Sequence, residues 1–112
     1  MNANDKLRQY NCSENYYKAG FGFLYTDGVK AFCSEFECYW LLHLILSYQS
    51  KLRQEDFQVW ELIRNDDQTA KVISTNGNEK PLITQKIPFT DFKPLTGTIW
   101  VENNVILLPS EH

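Results

Sequence analysis

Phe57-Gln58-Val59-Trp60-Glu61-Leu62-Ile63-Arg64 is the stretch on which the fold turns. It is rich in β-formers, and its side chains alternate with a period of two. Phe57, Val59 and Ile63 share one face; Trp60 and Leu62 share the other. Apolar residues on both faces mark a central strand rather than one with a wet side. Glu61 falls on the face of Phe57, Val59 and Ile63. It either points at a helix layer, where desolvation would raise its pKa, or sits near a sheet end and reaches water.

Downstream, the same period continues between turn signals. Asn65-Asp66-Asp67 makes a turn, and Thr69–Thr75 returns as a second strand. Asn76-Gly77-Asn78 is the clearest local signal, because Asn-Gly adopts the two positive φ angles of a type I′ hairpin at low cost. A third strand, about Leu82–Phe89, points Ile83, Ile87 and Phe89 one way, and Pro88 places it at a strand end or an edge. Thr90–Pro94 is a turn with Asp91 as a turn former. Thr98–Val101 and Val105–Leu108 form a last hairpin, with Asn103-Asn104 at its tip because Asn tolerates left-handed backbone.

Upstream, the period lengthens. Thr26-Asp27-Gly28 is a helix start, since a Thr or Asp oxygen accepts the orphan N–H groups of the first turn. Val29, Phe32 and Cys33 then share a face at i, i+3, i+4, and a break is expected around Phe36–Glu37. A second helix, Tyr39–Leu52, is apolar nearly all round in its first half, which implies burial against both the sheet and its neighbour. Tyr16–Tyr25 fits neither period and reads as a turn-rich packed segment or a short helix laying aromatic rings over the core. Residues 1–13 are either loose or carry a short helix around Lys6–Tyr10. The expected fold is α+β: N-terminal helices on one face of a four- to five-stranded antiparallel sheet, a meander of hairpins, in a single domain spanning residues 1–112.

Composition supports one core. A chain of 112 residues buries roughly 60–70% of its unfolded surface, enough to fold without staples. Hydrophobic residues are 43% and charged residues 22%, both ordinary, whereas aromatics at 14% are in surplus. Net charge is −3 with no basic stripe to neutralise phosphates, which argues against nucleic-acid binding. The N-terminus lacks a basic-then-apolar signal segment, and the longest apolar stretch, Cys38–Leu46, is half of what a bilayer requires. A cytoplasmic protein with no membrane association is expected, and there its three cysteines default to free thiols.

Cys12, Cys33, Cys38 and His43 form the only set with metal-ligand types. Zinc needs four convergent ligands, but Cys38 and His43 stand roughly 140° apart on a helix at 3.6 residues per turn. Buried thiols and a core or core-edge His43 are the expectation, and the metal set is the alternative. A Cys33–Cys38 disulfide is equally ill-placed, because five helical residues rise roughly 7.5 Å unless the helix breaks between them. No Ser or Cys occupies a Gly-flanked elbow, and no two acids are forced together, so no catalytic residue and no cofactor is expected. Gly20-Phe21-Gly22 lacks the third glycine and the strand–helix setting of a phosphate loop. The aromatic group Tyr16, Tyr17, Phe21, Phe23 and Tyr25 is the best candidate for recognition, because Tyr brings contact area at little rotamer entropy. Tyr16, Tyr17, Tyr25, Tyr48 and Asp91 are the partner-binding candidates.

Glu14-Asn15-Tyr16-Tyr17, Leu24-Tyr25-Thr26-Asp27-Gly28-Val29-Lys30, Tyr39-Trp40-Leu41-Leu42, Phe57-Gln58-Val59-Trp60, Ile87-Pro88-Phe89-Thr90-Asp91-Phe92 and Leu107–His112 carry a resemblance. In that order they resemble an uncharacterised family of small bacterial proteins, one of the catalogued domains of unknown function. The resemblance implies a compact single domain of bacteria and their mobile elements, with no established activity or cofactor. It departs at Cys33, Cys38 and His43, where the family is associated with small residues and an acid. The resulting expectation is a non-enzymatic protein-interaction module of the phage or plasmid accessory type, an inhibitor that binds a host or defence protein. The alternative is a small-ligand-binding or regulatory domain, homodimeric through the edge strand near Pro88, and metal binding through the cysteines and His43 is a third reading.

Overall fold

The structure is a computed structural model and describes residues 2–4, 15–78, 80–90, 92, 94 and 96–111. In chain order the elements are β1 (Tyr16–Gly20), β2 (Phe23–Thr26), α1 (Asp27–Glu35), α2 (Tyr39–Ser47), β3 (Phe57–Arg64), β4 (Ala70–Thr75), β5 (Pro81–Ile87), β6 (Thr96–Glu102) and β7 (Val105–Leu107). Short 3₁₀ turns cover Gln49–Lys51 and Pro109–Glu111.

All seven strands form one sheet in the order β1-β2-β7-β6-β3-β4-β5. The α+β class holds, but the expected four- to five-stranded meander is too small. The shortfall lies in Tyr16–Tyr25, which is neither a helix nor a turn-rich segment but the β1–β2 hairpin. A hairpin, not a helix, is therefore the first named element; ahead of it Asn2 bridges Thr96 and Ala3 is buried, while Lys6–Tyr10 lies outside the described residues. The hairpin's pattern hid because the register shifts between Lys18 and Gly20 and aromatic residues point to both faces. Nor is the sheet wholly antiparallel: β2 runs parallel to β7, pairing Leu24 with Val105 and Tyr25 with Ile106. Local turn signals cannot predict such a pair, because its partners lie about eighty residues apart in the chain.

The central strand reads as expected. β3 lies between β6 and β4, with Trp60 opposite Ile99 and Ser74. Gln58, Trp60 and Leu62 are buried on one face, alongside Ala70 and Val72 of β4 and Ile99 and Val101 of β6. Both helices cover this face: Tyr48 stacks near Trp60 at 6.1 Å, and Phe32 and Phe92 stack at 6.0 Å over Gly97. Phe57, Val59 and Ile63 lie half-buried on the opposite face with exposed Glu61 among them. Glu61 thus faces away from the helices, in water.

Thr26 caps α1, its Oγ1 accepting from the Val29 N–H at 3.3 Å. The expected break comes at Phe36–Glu37, with Glu37 at φ 53° and the Cys38 N–H donating to the Cys33 carbonyl at 3.0 Å. That is a Schellman closure, which brings the residue after the left-handed position back over the last turn. α2 stops at Ser47 rather than Leu52. The Ser47 hydroxyl takes the Leu44 carbonyl at 2.6 Å and the Gln49 carboxamide takes that of Ile45 at 2.9 Å, so polar side chains replace the next backbone donors. Nor is α2 apolar all round: Tyr39, His43 and Ser47 form an exposed stripe at i, i+4, i+8.

Asn103 and Asn104 close the β6–β7 hairpin at φ 52° and 65°, as their tolerance for left-handed backbone suggested. Asn76-Gly77 does not make a two-residue turn. Only Gly77 has positive φ, at 87°, and the Asn76 side chain instead accepts from the Asn78 and Lys80 N–H groups at 2.9 and 3.2 Å. That Asx geometry holds open a loop between Thr75 and Pro81, which pair across it. β5 is an edge strand ending at Ile87, just before Pro88, so the proline marks both an end and an edge.

Candidate binding sites

The β1–β2 turn is where backbone conformation is most unusual. Gly20, Phe21 and Gly22 have φ angles of 106°, 55° and 82°. Glycine adopts this region freely, but a phenylalanine there carries a cost, and this one is 88% exposed. Tyr16 (54%) and Leu24 (36%) are exposed on the same hairpin. On the sheet face away from the helices, Tyr16, Leu24, Val105 and Leu107 line a shallow hollow of about 370 Å³ bordered by Glu102 and Asn103.

The other tyrosines proposed for recognition are structural in their contacts. Tyr17 donates its hydroxyl to Asp27 Oδ1 at 2.8 Å, packs at 5.4 Å from the Tyr25 ring, and lies under the Lys30 ammonium at 4.4 Å. The hydrogen bond to Asp27 pushes the Tyr17 pKa above its ordinary value, because the carboxylate stabilises the protonated phenol. Burial pushes Tyr25 the same way. Tyr48 donates to Gln85 Oε1 at 2.5 Å and is half-buried against Trp60. Only Tyr16 of the candidate tyrosines presents its ring to solvent, while Asp91 lies outside the described residues.

Among the described residues the metal set does not assemble. Cys33 and Cys38 are free, fully buried thiols brought together by the Schellman closure, and the hydrogen bond between them, with burial, raises the Cys38 pKa. His43 is exposed on the solvent stripe of α2 rather than in the core or at its edge, since Leu41, Leu42, Ile45 and Leu46 turn the opposite way. Cys12 lies outside the described residues. Among the described residues no three His, Cys, Asp or Glu side chains could hold a metal ion. The helix break does remove the distance objection to a Cys33–Cys38 bridge, but both sulfurs are free.

A larger cleft lies on the helix side of the sheet. It measures about 760 Å³, within the range of small-molecule sites, and lies between the end of α2, the β1–β2 turn and the β6–β7 turn. Leu46, Leu52 and Val101 give it apolar walls; Phe21 and Phe23 stand at one side, and Arg53, Glu55 and Asp56 at its rim. Gln49 (7% exposed) and Gln58 (1%) also line it. Their carboxamides bond reciprocally, Gln49 Nε2 to Gln58 Oε1 at 3.0 Å and Gln58 Nε2 to Gln49 Oε1 at 2.9 Å. Trp60 Nε1 donates to Gln58 Oε1 at 2.9 Å, and Gln49 Nε2 donates to the Ile45 carbonyl. Sequence reasoning passed over this pair. The available signal was Gln58, a polar residue on the face that Trp60 and Leu62 mark as buried.

No helix among the described residues is long and apolar enough to cross a membrane. No curated protein and no solved structure matches the chain. A family model does match, over residues 1–112, and by it the chain belongs to DUF6876, a family of unknown function.

Proposed function

We propose that the protein is a non-enzymatic interaction module that binds another protein through its β1–β2 hairpin. One observation carries this reading. Three of the five large hydrophobic side chains exposed among the described residues, Tyr16, Phe21 and Leu24, sit on that single hairpin. Scattered apolar residues are ordinary on a surface, whereas a cluster of them beside a hollow with a polar border is how a partner site is built. Tyrosine and phenylalanine on a short hairpin lose little rotamer entropy on binding, which favours them as anchors. An accessory inhibitor that obstructs a surface of a larger target would need no more than this. The test compares affinity capture from lysate of the encoding cells by the wild-type chain and by a Tyr16→Ala, Leu24→Ser double variant. A stoichiometric protein held by the wild type and weakened at least tenfold by the variant is expected. Equal capture by both, or none by either, would sink the reading.

The position of β5 at the sheet edge favours a second reading, a homodimer through strand addition. Pro81 and Pro88 bracket that strand and limit the paired segment to the residues between them. Light scattering that returns the monomer mass at high concentration would remove it.

A further inference from the structure

The cleft on the helix side has a feature that apolar walls and rim charges do not explain. In the reciprocal pair of Gln49 and Gln58, one edge is saturated: Gln49 Nε2 reaches the Ile45 carbonyl and Gln58 Oε1 receives Trp60 Nε1. The other edge consists of Gln49 Oε1 and Gln58 Nε2, bonded to each other at 2.9 Å. A carboxamide oxygen has two acceptor positions and its nitrogen two hydrogens, so each atom retains one. Among the described residues neither finds a further partner. Both side chains are more than nine-tenths buried and both line the cleft. Leaving such groups unpaired in a buried wall costs stability, and Trp60 fixes their orientation from behind.

We propose that this cleft binds a small planar molecule carrying an N–H and a C=O side by side, a lactam of the nucleobase or nucleoside class. The N–H of the ligand donates to Gln49 Oε1 and its C=O accepts from Gln58 Nε2, completing both carboxamides. A single trans peptide group cannot do this, because its own N–H and C=O point in opposite directions. Phe21 and Phe23 on the same cleft offer aromatic faces to a planar ring. The rim gives a phosphate no net positive charge: among the described lining residues Arg53 is the one cation against Glu55 and Asp56, and Lys80 is taken up by Glu55 at 3.7 Å. A nucleoside or free base is therefore favoured over a nucleotide. This site shares Phe21 with the hairpin of the proposed protein contact, but Tyr16 and Leu24, the residues varied to test that contact, lie on the opposite sheet face.

The test is a titration of ¹⁵N-labelled protein with uracil, hypoxanthine, uridine and uridine monophosphate, observing the Gln49 and Gln58 side-chain amides and the Trp60 indole N–H. Saturable shifts at those three groups are expected with at least one of the neutral lactams. 1,3-Dimethyluracil, which lacks the N–H, should bind at least tenfold more weakly than uracil, and the monophosphate more weakly than uridine. Ser50→Trp, a change at an exposed position that fills the cleft, should abolish the shifts without unfolding the chain. No saturable shift from any lactam up to millimolar concentration would overturn the proposal and leave water as the occupant. Equal binding of the dimethylated analogue, or shifts that persist in Ser50→Trp, would overturn it too. The Tyr16→Ala, Leu24→Ser variant should bind the lactam unchanged, so the failure of one reading does not imply the failure of the other.

Discussion

Gly97 shows how a single missing methyl group organises the aromatic end of the core. A Cβ at this position would stand 2.7 Å from Phe32 Cζ and 3.0 Å from Phe92 Cζ. Neither ring can retreat freely: they stack on each other at 6.0 Å, and Phe36 meets them edge-on at 5.5 and 5.6 Å. Packed interiors respond to one extra methyl group by shifting side chains off their preferred rotamers. Gly97→Ala should therefore destabilise by about 1–3 kcal/mol. In urea the midpoint should fall while the slope stays constant, because the same surface is exposed on unfolding. An unchanged midpoint would mean that the triangle of rings is looser than its spacing implies. From sequence alone Gly97 carried no signal, since a glycine in Thr96-Gly97-Thr98 marks only a weak strand position. Gln58 was passed over and His43 misjudged for a different reason. Each sits among apolar neighbours, and only the helix or strand phase decides which side its polar group takes.

At the scale of elements, α1 is held at its start from a distance. Glu111, in the 3₁₀ turn after β7, accepts from Thr26 Oγ1 at 2.6 Å, from the Gly28 N–H at 3.2 Å and from the Leu108 N–H at 2.9 Å. A carboxylate there satisfies an orphan N–H and opposes the positive end of the helix dipole. Thr26 is the cap residue as well as a donor to Glu111, so the two ends of the described β2-to-β7 segment are tied through one carboxylate. Glu111→Ala should cost about 1–3 kcal/mol, the range for hydrogen bonds to a charged group. Glu111→Gln should recover part of the loss, because an amide oxygen still accepts. Thermal denaturation of the two variants checks the order; equal losses would mean that charge matters and hydrogen-bond geometry does not. The elements themselves were legible where local chemistry was strong. Thr26-Asp27-Gly28 announced α1, the period of two announced β3, and Asn103-Asn104 announced the last turn. Side-chain substitutes for backbone bonds, such as Gln49 ending α2 or Asn76 opening the β4–β5 loop, were not legible, because the same residues suit the expected geometry equally well.

Over the whole molecule, the hairpin that carries the exposed aromatic residues is joined to the rest of the sheet by the shortest ladder among the described strands. β2 meets β7 through two paired positions, Leu24 with Val105 and Tyr25 with Ile106, whereas β3 and β6 pair along the whole of Phe57–Ile63. Segments with few buried contacts and short ladders open locally at lower free energy than the core. Amides of β1 should therefore exchange with solvent at least tenfold faster than those of β3 and β6. The Tyr17 hydroxyl bond to Asp27 links the hairpin to the first turn of α1 and resists this opening. Because that bond raises the Tyr17 pKa in the folded state, its stabilisation is present below the ordinary value near 10 and is lost as pH rises through the raised one. Tyr17→Phe at neutral pH should thus imitate the wild type at strongly alkaline pH, with faster β1 exchange and unaltered β3 exchange beyond the intrinsic pH effect. If β1 were as protected as β3, or if Tyr17→Phe slowed or left unchanged its exchange, the hairpin would be part of the rigid sheet. Recognition through Tyr16 and Leu24 would then begin from a fixed surface rather than from one that adjusts to its partner.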